Sequence, residues 1–189
     1  MLLNKPRAYE IMDKYKLDAL LAVTPRNIYY LTDFSGFNNR TQRSFYEYAL
    51  FPRDEDAPAA YITTAVELPR MSDFPTWVPN IQTYTHPVNL AKRDYDPSTE
   101  DAEAGMPINW PIRKHRNLPD REKQWLELKS RYGESISASP LLALKKALKD
   151  ALLDKAIIGT DEFDQFMKDN KLWKGALKAQ NDKEIVKLF

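Results

Sequence analysis

The chain has no cysteine, two histidines and only five glycines in 189 residues. Without cysteine there is no disulfide framework, no thiolate nucleophile and no Cys-type zinc site. The two histidines, His86 and His115, cannot by themselves supply a multi-histidine metal centre. No Gly-rich phosphate loop is present, and neither histidine sits in a Ser-His-Asp or Gly-x-Ser-x-Gly context, so nucleotide and nucleophilic chemistry have no support. An excess of charge is also missing. Lys and Arg number 28 against 27 Asp and Glu, a formal net charge of +1, which gives no general attraction to nucleic acid or an anionic membrane. The first residues hold no apolar run long enough for a signal peptide. The longest clean apolar stretch, residues 17–23 with Asp18 inside it, is strand-sized and far short of a membrane span. A cytoplasmic protein with neither a nucleic-acid nor a membrane partner is the expectation.

What is present points to a folded α/β domain. Apolar residues make up 43% of the chain, and a chain of this length buries roughly 70% of its unfolded surface on folding, so one domain is expected. Residues 5–16 carry Tyr9, Ile11, Met12 and Tyr15 at helical spacing, with Pro6 placed where a first turn tolerates it. Residues 17–23 read as a strand buried on both faces, and residues 27–34 as a short helix. Residues 35–44 form a polar loop. Residues 45–51 and 59–63 read as a hairpin across a charged turn, 64–73 as a short helix, and 77–84 as a strand weakened by Pro79.

Residues 86–119 hold five of the thirteen prolines and both histidines, with no sustained period, and are expected to be a long irregular excursion. Residues 121–131 read as a charged helix. Ser139-Pro140 is an N-cap and N1 pair opening a helix to residue 153, with Leu141, Leu144, Leu148, Ala151 and Leu152 on its apolar face. Residues 155–160 then read as a strand, 162–170 as a helix, and 181–189 as the opening turn of a further helix.

Two motifs frame nearly the whole chain. The first runs Asp18-Ala19-Leu20-Leu21-Ala22-Val23, then Pro25-Arg26-Asn27-Ile28, then Tyr30-Leu31-Thr32-Asp33-Phe34 and Ser35-Gly36-Phe37. It resembles the start of the N-terminal domain of the creatinase/prolidase/aminopeptidase P family, with a "DALLV" strand, a Pro-x-Asn-Ile turn and a "YLTGF" helix end. Asp33 stands where that family usually has Gly. Near the other end, Ile157-Ile158-Gly159 resembles the family's late strand. Leu177-Lys178-Ala179-Gln180-Asn181-Asp182-Lys183-Glu184-Ile185 resembles its "R-x-I-K-S-x-x-E-I" lead-in to the catalytic domain, with Lys178 for Arg and Asn181 for the capping Ser.

The resemblance implies a three-layer α/β/α fold with a mixed five- or six-stranded sheet, creatinase/prolidase N-terminal domain-like and ribonuclease H-like. Residues 1–180 would form that domain, including the excursion, and residues 181–189 would begin a truncated catalytic domain or a linker. The function implied is a non-catalytic domain of an Xaa-Pro aminopeptidase- or dipeptidase-like metallohydrolase, which shapes substrate access and mediates dimerisation. The partners implied are its own catalytic domain, a second copy of the parent protein and a peptide substrate. Two divalent metals, Mn, Co or Zn, would be held by the catalytic domain and would activate a bridging water. No cofactor is expected in this chain, which alone is not expected to hydrolyse anything. Two other readings stand beside this one: a free-standing α/β binding or interaction module, and the N-terminal domain of a creatinase-like amidinohydrolase.

Candidate site residues follow from the same resemblance. In that family, residues beyond the "SGF/SGW" turn can reach a partner subunit's active site. Arg40 and Arg43 lie on that loop here, and a guanidinium suits bidentate recognition of a substrate carboxylate. The family's first two Asp metal ligands are eleven positions apart, and the only pair here with that separation, Asp150 and Asp161, lacks the hairpin expected between them. It reads as a coincidence. His86 and His115, with Asp94, Asp96, Glu100 and Asp101 between them, read as parts of a solvated loop rather than as metal ligands.

Overall fold

The computed structural model describes residues 1–40, 47–84, 118–133 and 136–161, and the pair Val186–Lys187. Helix α1, Lys5–Tyr15, starts where the Asn4 side chain accepts the Arg7 amide and stops at Lys16, which turns left-handed with φ 54°. The Leu17 amide then bonds back to the Met12 carbonyl at 2.8 Å, closing the helix in the usual way for a left-handed C-terminus. Strand β1, Ala19–Ala22, follows, then helix α2, Pro25–Thr32, and a single helical turn, α3, Phe37–Arg40. Strands β2, Tyr48–Pro52, and β3, Ala60–Thr64, form the expected hairpin, with Leu50 opposite Ala60.

A 3₁₀ turn, Ala65–Glu67, leads into α4, Leu68–Asp73, and then β4, Asn80–Tyr84. Helices α5, Asp120–Tyr132, and α6, Pro140–Asp150, precede β5, Ile158–Thr160, and the two-residue β6, Val186–Lys187. Among the described residues the sheet has six strands in the order β4-β3-β2-β1-β5-β6. The β1–β2 and β2–β3 pairs are antiparallel, whereas β3–β4, β1–β5 and β5–β6 are parallel. The sheet is therefore mixed.

Side chains alternating along each strand fill two cores, one on each face. On one face Ala22, Ala49, Phe51, Tyr61 and Ile81 pack under Ala8, Met12, Ile28, Leu31 and Leu68 from α1, α2 and α4. On the other face Ala19, Leu21, Leu50, Ala60 and Ile62 pack against Leu141, Ala143, Leu144 and Ala147 of α6. Helices on both sides of a mixed sheet make this a three-layer α/β/α fold. No described helix is long and apolar enough to cross a membrane.

The central strand depends on one carboxylate. Asp161, just past β5, accepts the Val23 amide at 2.8 Å, the Thr24 amide at 3.1 Å, the Thr24 hydroxyl at 2.6 Å and the Asn27 side-chain amide at 2.8 Å. Thr24, the residue before α2, has no capping bond of its own, so Asp161 serves that turn from across the β1–β5 pair. At the sheet's far side, Pro79 precedes β4, and a bridge pairs Tyr84 with Ser137, whose amide donates to the Thr83 carbonyl at 2.8 Å.

Several sequence expectations shift. The helix expected to run to residue 153 ends at Asp150, because Ala151 is its C-cap and Leu152 takes a left-handed φ of 57°. Leu152 therefore leaves the apolar face it was assigned to and is 88% exposed. The β5 strand is shorter than residues 155–160, since residues 154 and 155 form a turn. Val186–Lys187 are a strand beside β5 rather than part of a helical turn. The loop expected over 35–44 contains the helical turn α3. The helix expected at 162–170, and nearly all of the excursion at 86–119, lie outside the described residues.

Two stability predictions follow from these ends. Replacing Leu152 by Gly removes the side-chain clash of a left-handed residue and raises stability by about 1 kcal/mol in urea unfolding. Replacing Asp161 by Ala leaves four donors without their acceptor and lowers it by about 3 kcal/mol.

Candidate functional site

The loop carrying the candidate arginines is held by the C-terminal end of α2. Asp33 caps that helix in the left-handed region, φ 57°, and its amide returns to the Tyr29 carbonyl. This conformation is the one glycine adopts most cheaply, and Asp is among the few residues that also tolerate it. The side chain adds what a glycine could not: Asp33 Oδ1 accepts the Leu2 amide at 2.6 Å. Neighbouring carbonyls of α2 are covered as well. The Thr76 hydroxyl donates to the Thr32 carbonyl at 2.5 Å, and the Trp77 indole donates to the Leu31 carbonyl at 2.8 Å.

Beyond this cap the chain turns onto a buried acid. Glu67, only 2% exposed, accepts the Phe37 amide at 2.8 Å. Gly36 sits so close that an added Cβ would lie 3.1 Å from the Glu67 carboxyl and 3.1 Å from the Phe34 ring, so a side chain there would require those groups to give way. Arg70 of α4 donates from Nε to the Ser35 carbonyl at 2.8 Å and stacks its guanidinium over Phe74, 4.9 Å from the ring centroid. Beneath, Phe34 packs on Tyr61 with centroids 5.7 Å apart. Glu47, fully buried, accepts the Thr63 hydroxyl at 2.6 Å.

Tyr61 lies between the two acids, and its phenol is pushed well above its ordinary value. Burial is the main cause, and the negative charges of Glu47 and Glu67 add to it.

Arg40 is exposed at the end of α3, where its Nε reaches the Ser35 hydroxyl at 3.4 Å. That contact uses one of five guanidinium donors. Arg43 lies outside the described residues. His86 and His115 lie outside them too. Asp150 and Asp161 are separated: Asp150 accepts from Asn80 and Gln82 side chains, both at 3.0 Å, near the start of β4. Asp161 lies past the end of β5, which runs the same way as β4, so the pair occupies opposite ends of the sheet. Among the described residues no group of three metal-ligating side chains comes together.

The chemistry of this arrangement is positional. The buried Glu67 carboxylate and Arg70 fix the Ser35–Gly36–Phe37 backbone, and the fixed loop presents Arg40 and the Phe37 ring to solvent. Glu47, Glu67 and Arg70 were not singled out by motif. Glu47 had a detectable signal, because it shares the inward face of Ala49 and Phe51 by strand alternation, where a carboxylate is out of place. No family model matches this chain, and no curated protein matches it.

The buried phenol sets a pH dependence. An unfolded tyrosine ionises near pH ~10, while folded Tyr61 keeps its proton to higher pH. The folded state then binds more protons, so stability is complete below about pH 10 and falls as pH rises toward the raised value. Urea unfolding of Tyr61→Phe between pH 9 and pH 11 shows a shallower loss than the parent chain; equal slopes would remove Tyr61 from that role.

Proposed function

We propose that this chain is the non-catalytic N-terminal domain of an Xaa-Pro aminopeptidase- or dipeptidase-like metallohydrolase of the creatinase/prolidase/aminopeptidase P type. In that reading it acts in the cytoplasm, shapes substrate access and mediates dimerisation, while its attached catalytic domain holds the two divalent metals and performs the hydrolysis. The reading rests on the two motif resemblances and is supported by the three-layer fold with its mixed sheet. The observation that carries it is the left-handed Asp33 cap. The one departure from the resembled "YLTGF" motif falls at a position whose backbone favours glycine, and Asp satisfies the same geometry.

The loop is also built to face a partner. Phe37, Val66 and Phe74 are each more than half exposed, and all three belong to segments that meet at Glu67 and Arg70. Exposed aromatic and aliphatic groups around an arginine are typical of protein contact surfaces. Such a surface would seat a second subunit or the catalytic domain, with Arg40 and Arg43 extending toward the carboxylate of a bound peptide.

The test uses the full-length protein loaded with Mn and Xaa-Pro dipeptide and tripeptide substrates. Hydrolysis is expected from the full-length protein and not from this chain alone. Arg43→Ala or Arg40→Ala lowers kcat/KM by about tenfold, the loss of one charge-assisted contact to substrate. No Xaa-Pro turnover by the full-length protein would defeat the family reading. Unchanged kcat/KM in both variants would remove only the arginines' role.

A further inference from the structure

A cavity of about 290 Å³ opens between the first turns of α1 and the loop joining β2 to β3. One wall is aromatic. Tyr9 and Phe51 have ring centroids 5.5 Å apart, tilted by 40°, and Phe51 and Trp77 meet edge to face at 6.5 Å and 73°. Neither Phe51 nor Trp77 is loose: Phe51 is almost fully buried in β2, and the Trp77 indole is held by the Leu31 carbonyl. The π faces are thus fixed before any ligand arrives.

The facing wall is acidic. Asp54, Glu55 and Asp56 follow one another on the loop and all line the cavity. Asp54 Oδ1 accepts the Asp56 amide at 3.0 Å, which folds the acidic run into a tight turn. The adjoining basic residue, Arg53, does not neutralise it, because its guanidinium pairs with Asp13 at 2.5 Å. Glu55 lies near the Tyr9 phenol, which is raised by burial first and by that carboxylate second. Among the described residues Lys5 is the only cation lining the cavity, and its ammonium stands over Trp77, 4.9 Å from the ring centroid.

An acidic wall, an aromatic wall and an ammonium already seated over Trp77 select a particular chemistry. An anion would meet the acidic loop. A bare metal ion needs converging oxygen or nitrogen ligands, which aromatic faces do not provide. A weakly hydrated organic cation gains from both walls, since ring quadrupoles and carboxylates attract the same charge. Lys5 already satisfies part of this demand, and its flexible four-carbon stem allows the ammonium to withdraw.

We propose that this cavity binds an alkylated ammonium head group, and that Lys5 is the built-in occupant which the ligand displaces. The site stands apart from the peptidase reading and does not depend on it.

The experiment follows the tryptophan indole resonances of the chain by NMR while choline is added. Parallel titrations use its neutral isostere 3,3-dimethylbutan-1-ol and a short peptide carrying trimethyl-lysine. Choline is expected to give saturable shifts at the Trp77 indole, and the isostere none at equal concentration. Lys5→Gln removes the competitor and tightens choline binding roughly fivefold, whereas Glu55→Gln weakens it about threefold. Both side chains lie at the surface side of the cavity, so these variants keep the fold and leave the Trp77 indole in place as the probe. Tighter binding of the peptide than of choline assigns the head group to a peptide side chain, and the reverse assigns it to a free small molecule. Absence of saturation, equal binding of the neutral isostere, or affinities indifferent to both Lys5→Gln and Glu55→Gln would overturn the proposal.

Discussion

The parallel pairing of β1 with β5 is the constraint on which the rest of the molecule depends. It joins Leu20 to Gly159 and Leu21 to Thr160, so the centre of the sheet is assembled from the early and late parts of the chain. Backbone pairing alone would leave the turn from β1 into α2 poorly satisfied, because Thr24 does not cap the helix itself. Asp161 solves this with bonds that span 134 to 138 positions in sequence. A single carboxylate thereby fixes both the end of the central strand and the start of the helix that crosses it.

Helix α2 is consequently held at both ends. Asp161 secures its beginning, while Asp33, Thr76 and Trp77 secure its end. Only eight residues long, it has little independent stability, and its geometry comes from these attachments and from Ile28 and Leu31 in the core. The loop that follows inherits this rigidity. Ser35, Gly36 and Phe37 are placed against Glu67 and Arg70 by a helix that cannot easily rotate, which is why an exposed arginine at residue 40 has a defined origin even though its tip is in solvent.

Much of the fold was legible in the sequence because its signals are local. The Ser139-Pro140 pair announced α6, and the Ser139 hydroxyl indeed accepts the Leu142 amide at 3.2 Å. Pro79 weakens the strand expected over 77–84, and β4 indeed begins only after it, at Asn80. What was not legible depends on segments distant in sequence. In the sequence Asp161 shows only a spacing match with Asp150; its actual partners lie around Thr24, which no local pattern reveals. Glu67 acquires its meaning from the Phe37 amide, and Tyr61 from acids on two other segments. Leu152 was misplaced for the opposite reason: helical periodicity continues on paper after the backbone has turned left-handed. Of the candidate site, the loop and Arg40 are legible in the motif, whereas Glu67 and Arg70, which hold the loop, emerge only in the tertiary structure.

The treatment of β4 has a consequence for the molecule in company with its copies. An outermost strand normally presents a row of unsatisfied amides and carbonyls, the template on which sheets grow from one molecule into the next. Here Pro79 stands at the base of the strand, where no amide can be offered, and the chain around Ser137 occupies its upper end through the Tyr84 bridge. The side chains of Asn80 and Gln82 are further engaged by Asp150. Self-association along this border is thereby discouraged, and two copies that meet here do so through side chains rather than by extending the sheet past β4.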